Sequence, residues 1–362
     1  MSAAASISGP DFLPAAAPAA GALPPRLTDS HGRILTDLRL SVTGRCNFRC
    51  LYCRTGTGEA PSSELPIPDY ARILRLFVSL GIEKIRLTGG EPLLREGLLD
   101  LVRETAALTP AYAPGNRLDI ALTTNGFDLA RLARPLKDAG LSRVTVSMDA
   151  VDSDTFTRIT RVPGSFQRVL DGIHAAQDAN LGPIKVNCVL LRGYNDSQIE
   201  DFAHFARREH VILRFIEFMP LEEASNAPGA SRWSPTTVVP LEEIVARLNN
   251  VRPLVPLPAN HLSETARRFT FDDGLGEIGI IAPVSHPFCG HCSRVRLTSD
   301  GKVRTCLFSQ IDHDLIARIR RGDSDADLCL WIRTVVHGKE ARHHIGEPGF
   351  VKPLRSMVQI GG

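Results

Sequence analysis

From Asp37 onward the chain alternates two rhythms: short runs rich in β-branched and apolar residues, and longer stretches whose apolar positions recur at helical spacing. The short runs predict strands at Leu38–Ser41, Ile85–Thr88, Asp119–Thr123, Val144–Met148, Ile184–Leu191 and Ile212–Met219. The longer ones predict helices at Pro68–Leu80, Leu129–Ala139 and Phe166–Ala179, with Gly81, Gly140 and Gly182 close behind them. Glycine past a helix end is the usual stop signal, because it adopts positive φ without strain. Six strand–helix units in succession predict an α/β fold, a parallel sheet covered by helices and curved into an incomplete (βα)6 barrel of the TIM type.

Composition refines this picture at the ends. Residues 1 to about 25 are Ala-, Pro- and Ser-rich, with no basic residue before Arg26, which cannot support a packed core. A disordered tail is therefore placed at 1–30, the barrel at 31–250, and a C-terminal extension at 251–362. With 362 residues, 43% of them hydrophobic, the chain can bury a large core. A formal charge of +2 argues against nucleic acid or membrane as a partner. No apolar run is long enough to span a bilayer and the N-terminus lacks the order of a secretory signal, so a soluble, cytoplasmic protein is expected. Oligomeric state is not readable, and a homodimer is left open. The eight cysteines are sparse and mostly grouped, as in metal sites of a reducing compartment. Cys188 and Cys329 stand apart and read as small core residues.

In parallel α/β folds chemistry gathers at the C-terminal ends of strands. There the sequence places Cys46-Asn47-Phe48-Arg49-Cys50-Leu51-Tyr52-Cys53 after the first strand and Thr88-Gly89-Gly90-Glu91-Pro92 after the second. Thr123 to Gly126 follow on the third, Ser147 to Asp149 on the fourth, and Glu217 to Met219 on the sixth. Three thiols without a nearby fourth fit an iron–sulfur cluster that keeps one iron open. A zinc loop lacking one ligand is the competing reading. The glycines allow close backbone approach to a ligand, and Glu91 could accept hydrogen bonds from an ammonium group.

A second set follows the barrel: Cys289-Gly290-His291-Cys292, then Arg294-Val295-Arg296, a hairpin turn at Ser299-Asp300-Gly301, and Cys306. A zinc ribbon with His291 as fourth ligand shares this spacing. Arg294 and Arg296 alternate along a strand, so both point to one face beside the metal. Two guanidiniums there call for an anionic or carbonyl-bearing ligand.

The first triplet, with an aromatic residue before its last cysteine, and the Gly-Gly-Glu-Pro segment resemble the radical S-adenosylmethionine (SAM) family. That resemblance implies that Cys46, Cys50 and Cys53 hold a 4Fe-4S cluster whose fourth iron binds SAM, with Tyr52, Gly90, Glu91, Ser147 and Met219 contacting SAM. The second triplet, the Arg294-x-Arg296 pair and the terminal Gly361-Gly362 narrow the resemblance to the branch that acts on GTP at the start of molybdenum cofactor synthesis. It implies a second 4Fe-4S cluster on Cys289, Cys292 and Cys306. GTP would lie between the clusters, bound by Arg39, Arg86, Thr123, Lys185, Arg214, Arg294, Val295 and Arg296, and cyclised to 3′,8-cyclo-7,8-dihydro-GTP. Arg294, Arg296, Gly361 and Gly362 are the expected catalytic set. An electron donor and the next enzyme, cyclic pyranopterin monophosphate synthase, are the implied partners. The extra stretch Ala111–Arg117 departs from the family pattern, as does Arg54 to Gly58. Another twin-cluster radical SAM enzyme, such as a peptide-maturing one, stays open, as does a non-enzymatic zinc or electron-carrier protein.

Overall fold

A computed structural model describes residues 25–53, 64–221, 233–353 and 355–360. Six strands run parallel and in chain order: β1 (Asp37–Ser41), β2 (Lys84–Thr88), β3 (Asp119–Thr124), β4 (Arg143–Ser147), β5 (Lys185–Leu190) and β6 (Ile212–Glu217). The helices between them are α1 (Ile67–Ser79), α2 (Leu98–Ala106), α3 (Leu129–Asp138), α4 (Ser153–Thr160), α5 (Ser165–Asp178) and α6 (Ile199–Arg208), followed by α7 (Leu241–Val251). The predicted strands and helices therefore stand within a few residues of where hydrophobic periodicity put them. The unit after β4 carries two helices: α4 ends at Arg161 in the left-handed region (φ +60°), and Gly164 at φ +71° precedes α5.

The remaining strands extend this sheet at both edges. They are β7 (Leu254–Leu257), β8 (Arg267–Phe271), β9 (Glu277–Ile281), β10 (Arg294–Leu297), β11 (Lys302–Arg304) and β12 (His313–Asp314). β9 lies parallel beside β6, and β10 returns to lie parallel beside β1. The sheet order is β12-β11-β10-β1-β2-β3-β4-β5-β6-β9-β8-β7, an open ribbon with antiparallel ends. The expected hairpin is present, with Arg296 opposite Arg304 and the turn at 298–301. Two further helices, α8 (Leu315–Arg320) and α9 (Asp325–His337), follow.

Strand alternation separates two faces. Leu38, Leu40, Ile85, Leu87, Val144, Val146, Leu213 and Phe215 face the helices and are wholly buried, each contributing about 1.5–3 kcal/mol by leaving water. Cys188 belongs to this layer, whereas Cys329 is only half-buried on α9. The opposite face carries Arg39, Arg86, Thr123, Thr145, Lys185, Asn187 and Arg214 along the cavity wall. A closed barrel fills its interior with branched apolar side chains. Here polar and charged ones leave a hollow.

Candidate active site

The hollow is one continuous cavity of about 850 Å³ whose walls include all six cysteines of the two triplets. The first triplet sits in the loop after β1, held down by the backbone. Arg49 and Leu51 donate their N–H groups to Thr160 and Ile159 at 3.0 Å, and Phe48 packs edge-on against Phe127 and Phe156 at 5.9 and 6.0 Å. The Cys53 N–H bonds the Cys50 carbonyl at 3.1 Å, curling the three thiols into one turn. Tyr52, Gly90, Ser147 and Met219 line the cavity beside them. Asn125 also lies here, donating from Nδ2 to Asn47 Oδ1 at 2.7 Å.

Glu91 does something other than face a ligand. It is 1% exposed, and its carboxylate accepts from Thr124 Oγ1 at 2.7 Å, Asn125 N at 2.7 Å and Leu93 N at 3.0 Å. Burial pushes its carboxyl up to about 7, against the pull of those three donors. Its oxygens thus tie the turn after β2 to the end of β3 as an internal clamp. Gly90 is likewise required by the protein backbone: its N–H donates to the Thr43 carbonyl at 2.8 Å, and a Cβ would meet the Arg45 carbonyl carbon at 2.7 Å.

Across the cavity, Cys289, Cys292 and Cys306 gather at the start of β10 and after β11. Arg294 Nε lies 3.3 Å from Cys292 Sγ. Burial alone would raise that thiol, but the charges of Arg294 and Lys339 bring it down to about 6. Lys339 is 4% exposed and caps the Arg294 and Thr305 carbonyls. Arg33 donates to the carbonyls of Cys289 at 2.9 Å, Ala341 at 2.8 Å and Glu340 at 2.6 Å while paired with Asp29. Sequence reading missed Arg33 and Lys339, for nothing in a local motif signals contacts made 256 positions away by the first and 45 by the second.

Both triplets suit a four-iron cluster held at three corners. None of the six is in a disulfide. Among the described residues no three His, Cys, Asp or Glu close around a single-ion position, and His291, exposed, is not on the cavity wall. Among the described residues the zinc alternative therefore has no ligand set in either loop.

Between the triplets the strand register places Arg296, Arg39 and Arg86 side by side on β10, β1 and β2. Arg86 donates to Thr123 Oγ1 and Thr145 Oγ1, each at 3.1 Å. Burial, reinforced by neighbouring cations, lowers Arg39 to about 9 and Arg86 to about 10, with Asp37 opposing the shift. Lys185 is lowered to about 8 by burial and by Arg214, Arg143 and Arg86. Cations crowded at this cost are stabilised by a polyanion. Val295 points the other way and is 1% exposed in the core, as strand alternation dictates. Lys84 and Arg143 join the cationic wall beyond the sequence expectation, as does Arg117 of the extra loop, with the neutral Asn116 beside it in the lining. Gly361 and Gly362 lie outside the described residues, as does the stretch 54–63. Ile360, just before the double glycine, is buried, and its carbonyl lies 3.4 Å from Arg296 Nη1.

Comparison with known proteins agrees with both halves of this arrangement. Residues 40–206 match the model of the Radical SAM superfamily, and residues 211–345 that of Molybdenum Cofactor Synthesis C. A GTP 3′,8-cyclase of Acidothermus cellulolyticus is 46% identical over 83% of this chain and 82% of its own. One from Moorella thermoacetica is 42% identical over 93% of this chain and 100% of its own, and one from Streptomyces coelicolor 41% over 93% and 96%. Among solved structures, Streptococcus suis SuiB bound to precursor peptide SuiA superposes with a TM-score of 0.58 at 14% identity, over 85% of this chain and 67% of SuiB, a likeness of fold alone. Near-complete coverage by such relatives, on a cavity that joins two three-cysteine loops through a row of arginines, establishes that the chain belongs to the GTP 3′,8-cyclase family.

Proposed function

We propose that this enzyme converts GTP to 3′,8-cyclo-7,8-dihydro-GTP, the opening step of molybdenum cofactor synthesis. The observation that carries the reading is the in-register row Arg296–Arg39–Arg86 inside a cavity with three cysteines at either side. Cys46, Cys50 and Cys53 would hold one four-iron cluster, with Tyr52, Gly90, Ser147 and Met219 around SAM; Cys289, Cys292 and Cys306 would hold the other. The chemistry these groups supply when bound is a 5′-deoxyadenosyl radical and a second iron centre for the purine.

The chain's own residues bind, orient and shield. A triphosphate carries about four negative charges, and in a semi-buried channel it needs several converging cations. Arg39, Arg86, Lys185 and Arg214 supply them, helped by Lys84 and Arg143. Arg294 and Arg296 then meet the base and ribose, and the buried Ile360 sets its carbonyl beside Arg296. Enclosure excludes water from a reactive primary radical. Turnover requires an electron donor, and the product passes to the next enzyme, cyclic pyranopterin monophosphate synthase.

The test is anaerobic reconstitution followed by SAM, reductant and GTP. About eight irons per chain, deoxyadenosine release and a GTP-dependent cyclised product are expected. SAM cleavage with no consumption of GTP would instead favour a peptide-maturing enzyme, which has no use for the arginine row.

A further inference from the structure

His343 stands on the cavity wall beside the second cysteine loop. Its backbone N–H bonds the Cys289 sulfur, and its ring lies against Phe308 with centroids 5.4 Å apart. Nδ1 accepts the Ile345 N–H at 3.5 Å. A ring nitrogen that accepts a hydrogen bond is unprotonated, so the ring proton sits on Nε2. Nε2 is buried and has no hydrogen-bond partner among the described residues. A buried N–H without an acceptor is costly, and such a group in a ligand cavity is one the ligand completes.

What acceptor completes it follows from position. Lys84 and Arg143, at the starts of β2 and β4, are paired with Asp37 and Asp119, and it is Lys185 at the start of β5, with Arg214 and Arg86 nearby, that draws a triphosphate there. His343 is grouped instead with Cys289 and Arg294, where the other end of the nucleotide reaches. Iron ligation by Nε2 would move the proton to Nδ1, where it would oppose the Ile345 N–H. A purine acceptor suffers no such conflict.

We propose that His343, through its Nε2–H, recognises the acceptor edge of guanine, its 6-oxo group and N7, at the second cysteine loop. This rests on the reading of GTP as substrate.

The test measures nucleotide affinity of the reconstituted enzyme by equilibrium dialysis, for wild type, His343→Leu and His343→Gln. The ligands are GTP, 7-deaza-GTP, which lacks N7, and 2-aminopurine riboside triphosphate, which lacks the 6-oxo group. His343→Leu is expected to weaken GTP roughly tenfold, the scale of one buried hydrogen bond, and His343→Gln, which keeps a donor near the same place, to recover most of it. At least one analogue should bind wild type as weakly as the Leu variant binds GTP, with no further loss in that variant. Unchanged GTP affinity in His343→Leu overturns the assignment, as does an equal loss for all three nucleotides. Iron content and SAM affinity should stay at wild-type values in both variants; loss of iron in both would make His343 a support for Cys289 only. Failure of the substrate reading would look different, since wild type itself would not bind GTP.

Discussion

The Tyr52 hydroxyl donates a 2.6 Å hydrogen bond to Asp149 Oδ2, fastening the first cysteine loop to the end of β4. Asp149 is in turn fixed from two sides: its other carboxylate oxygen accepts the Val189 N–H at 2.9 Å, and its carbonyl accepts Asn195 Nδ2 at 2.7 Å. Burial raises the Asp149 carboxyl to about 6 although both donors favour its charged form. Asp149→Ala would leave a buried phenol without an acceptor, a cost of about 1–3 kcal/mol. SAM affinity, measured by equilibrium dialysis, is expected to fall roughly tenfold. Tyr52→Phe should lose a similar amount, and the double variant no more than the worse single, because one shared bond is removed once. Additive losses would show that the two residues act separately.

Gly90→Ala tests why that glycine is there. The added methyl would press on the Arg45 carbonyl carbon at 2.7 Å, and relief requires Arg45, next to Cys46, to move. Crowding of this kind costs about 1–3 kcal/mol. The expected variant is folded, melts several degrees lower and takes up less iron in the first loop. Wild-type iron uptake with only SAM binding lost would return Gly90 to a purely ligand-facing role.

Much of this was readable in the sequence because the information is local. The Cys46, Cys50 and Cys53 spacing and the alternation that sets Arg294 and Arg296 on one face need no tertiary knowledge. What stayed hidden is relational. That β10 returns beside β1, setting Arg296 against Arg39, depends on pairing across more than 250 positions. That Glu91 spends its carboxylate on Thr124 and Asn125 is decided by burial, which a strand-end motif does not reveal. That Val295 buries its side chain in the core follows from strand alternation, which turns neighbours to opposite faces.

Serine in place of single cysteines separates the two iron sites. Cys50→Ser is expected to lose roughly four irons and all SAM cleavage, and Cys306→Ser roughly four irons and cyclisation while still cleaving SAM. Iron analysis and deoxyadenosine release check both. Loss of all iron from either variant would contradict independent sites.

Deleting Gly361 and Gly362 addresses the end of the chain, whose neighbour Ile360 already reaches Arg296. Cyclised product should disappear while SAM binding and SAM cleavage persist. Full product formation by the truncated chain would remove the double glycine from the mechanism.

Lys185 supplies a pH signature. Burial first, then Arg214, Arg143 and Arg86, lower its ammonium from 10.5 to about 8. Between those two values the folded chain binds fewer protons than the unfolded one, so folding stability rises with pH across that window. Nucleotide binding has the opposite sign, because a triphosphate beside Lys185 favours the charged form and binding above about pH 8 must take up a proton. GTP affinity should therefore be flat below pH 7.5 or so and fall as pH rises through about 8. Lys185→Arg keeps its charge throughout that range, so its affinity should stay level up to about pH 9.5. Titrations of Kd against pH for the two proteins decide the matter, and parallel curves would remove Lys185 from the phosphate site.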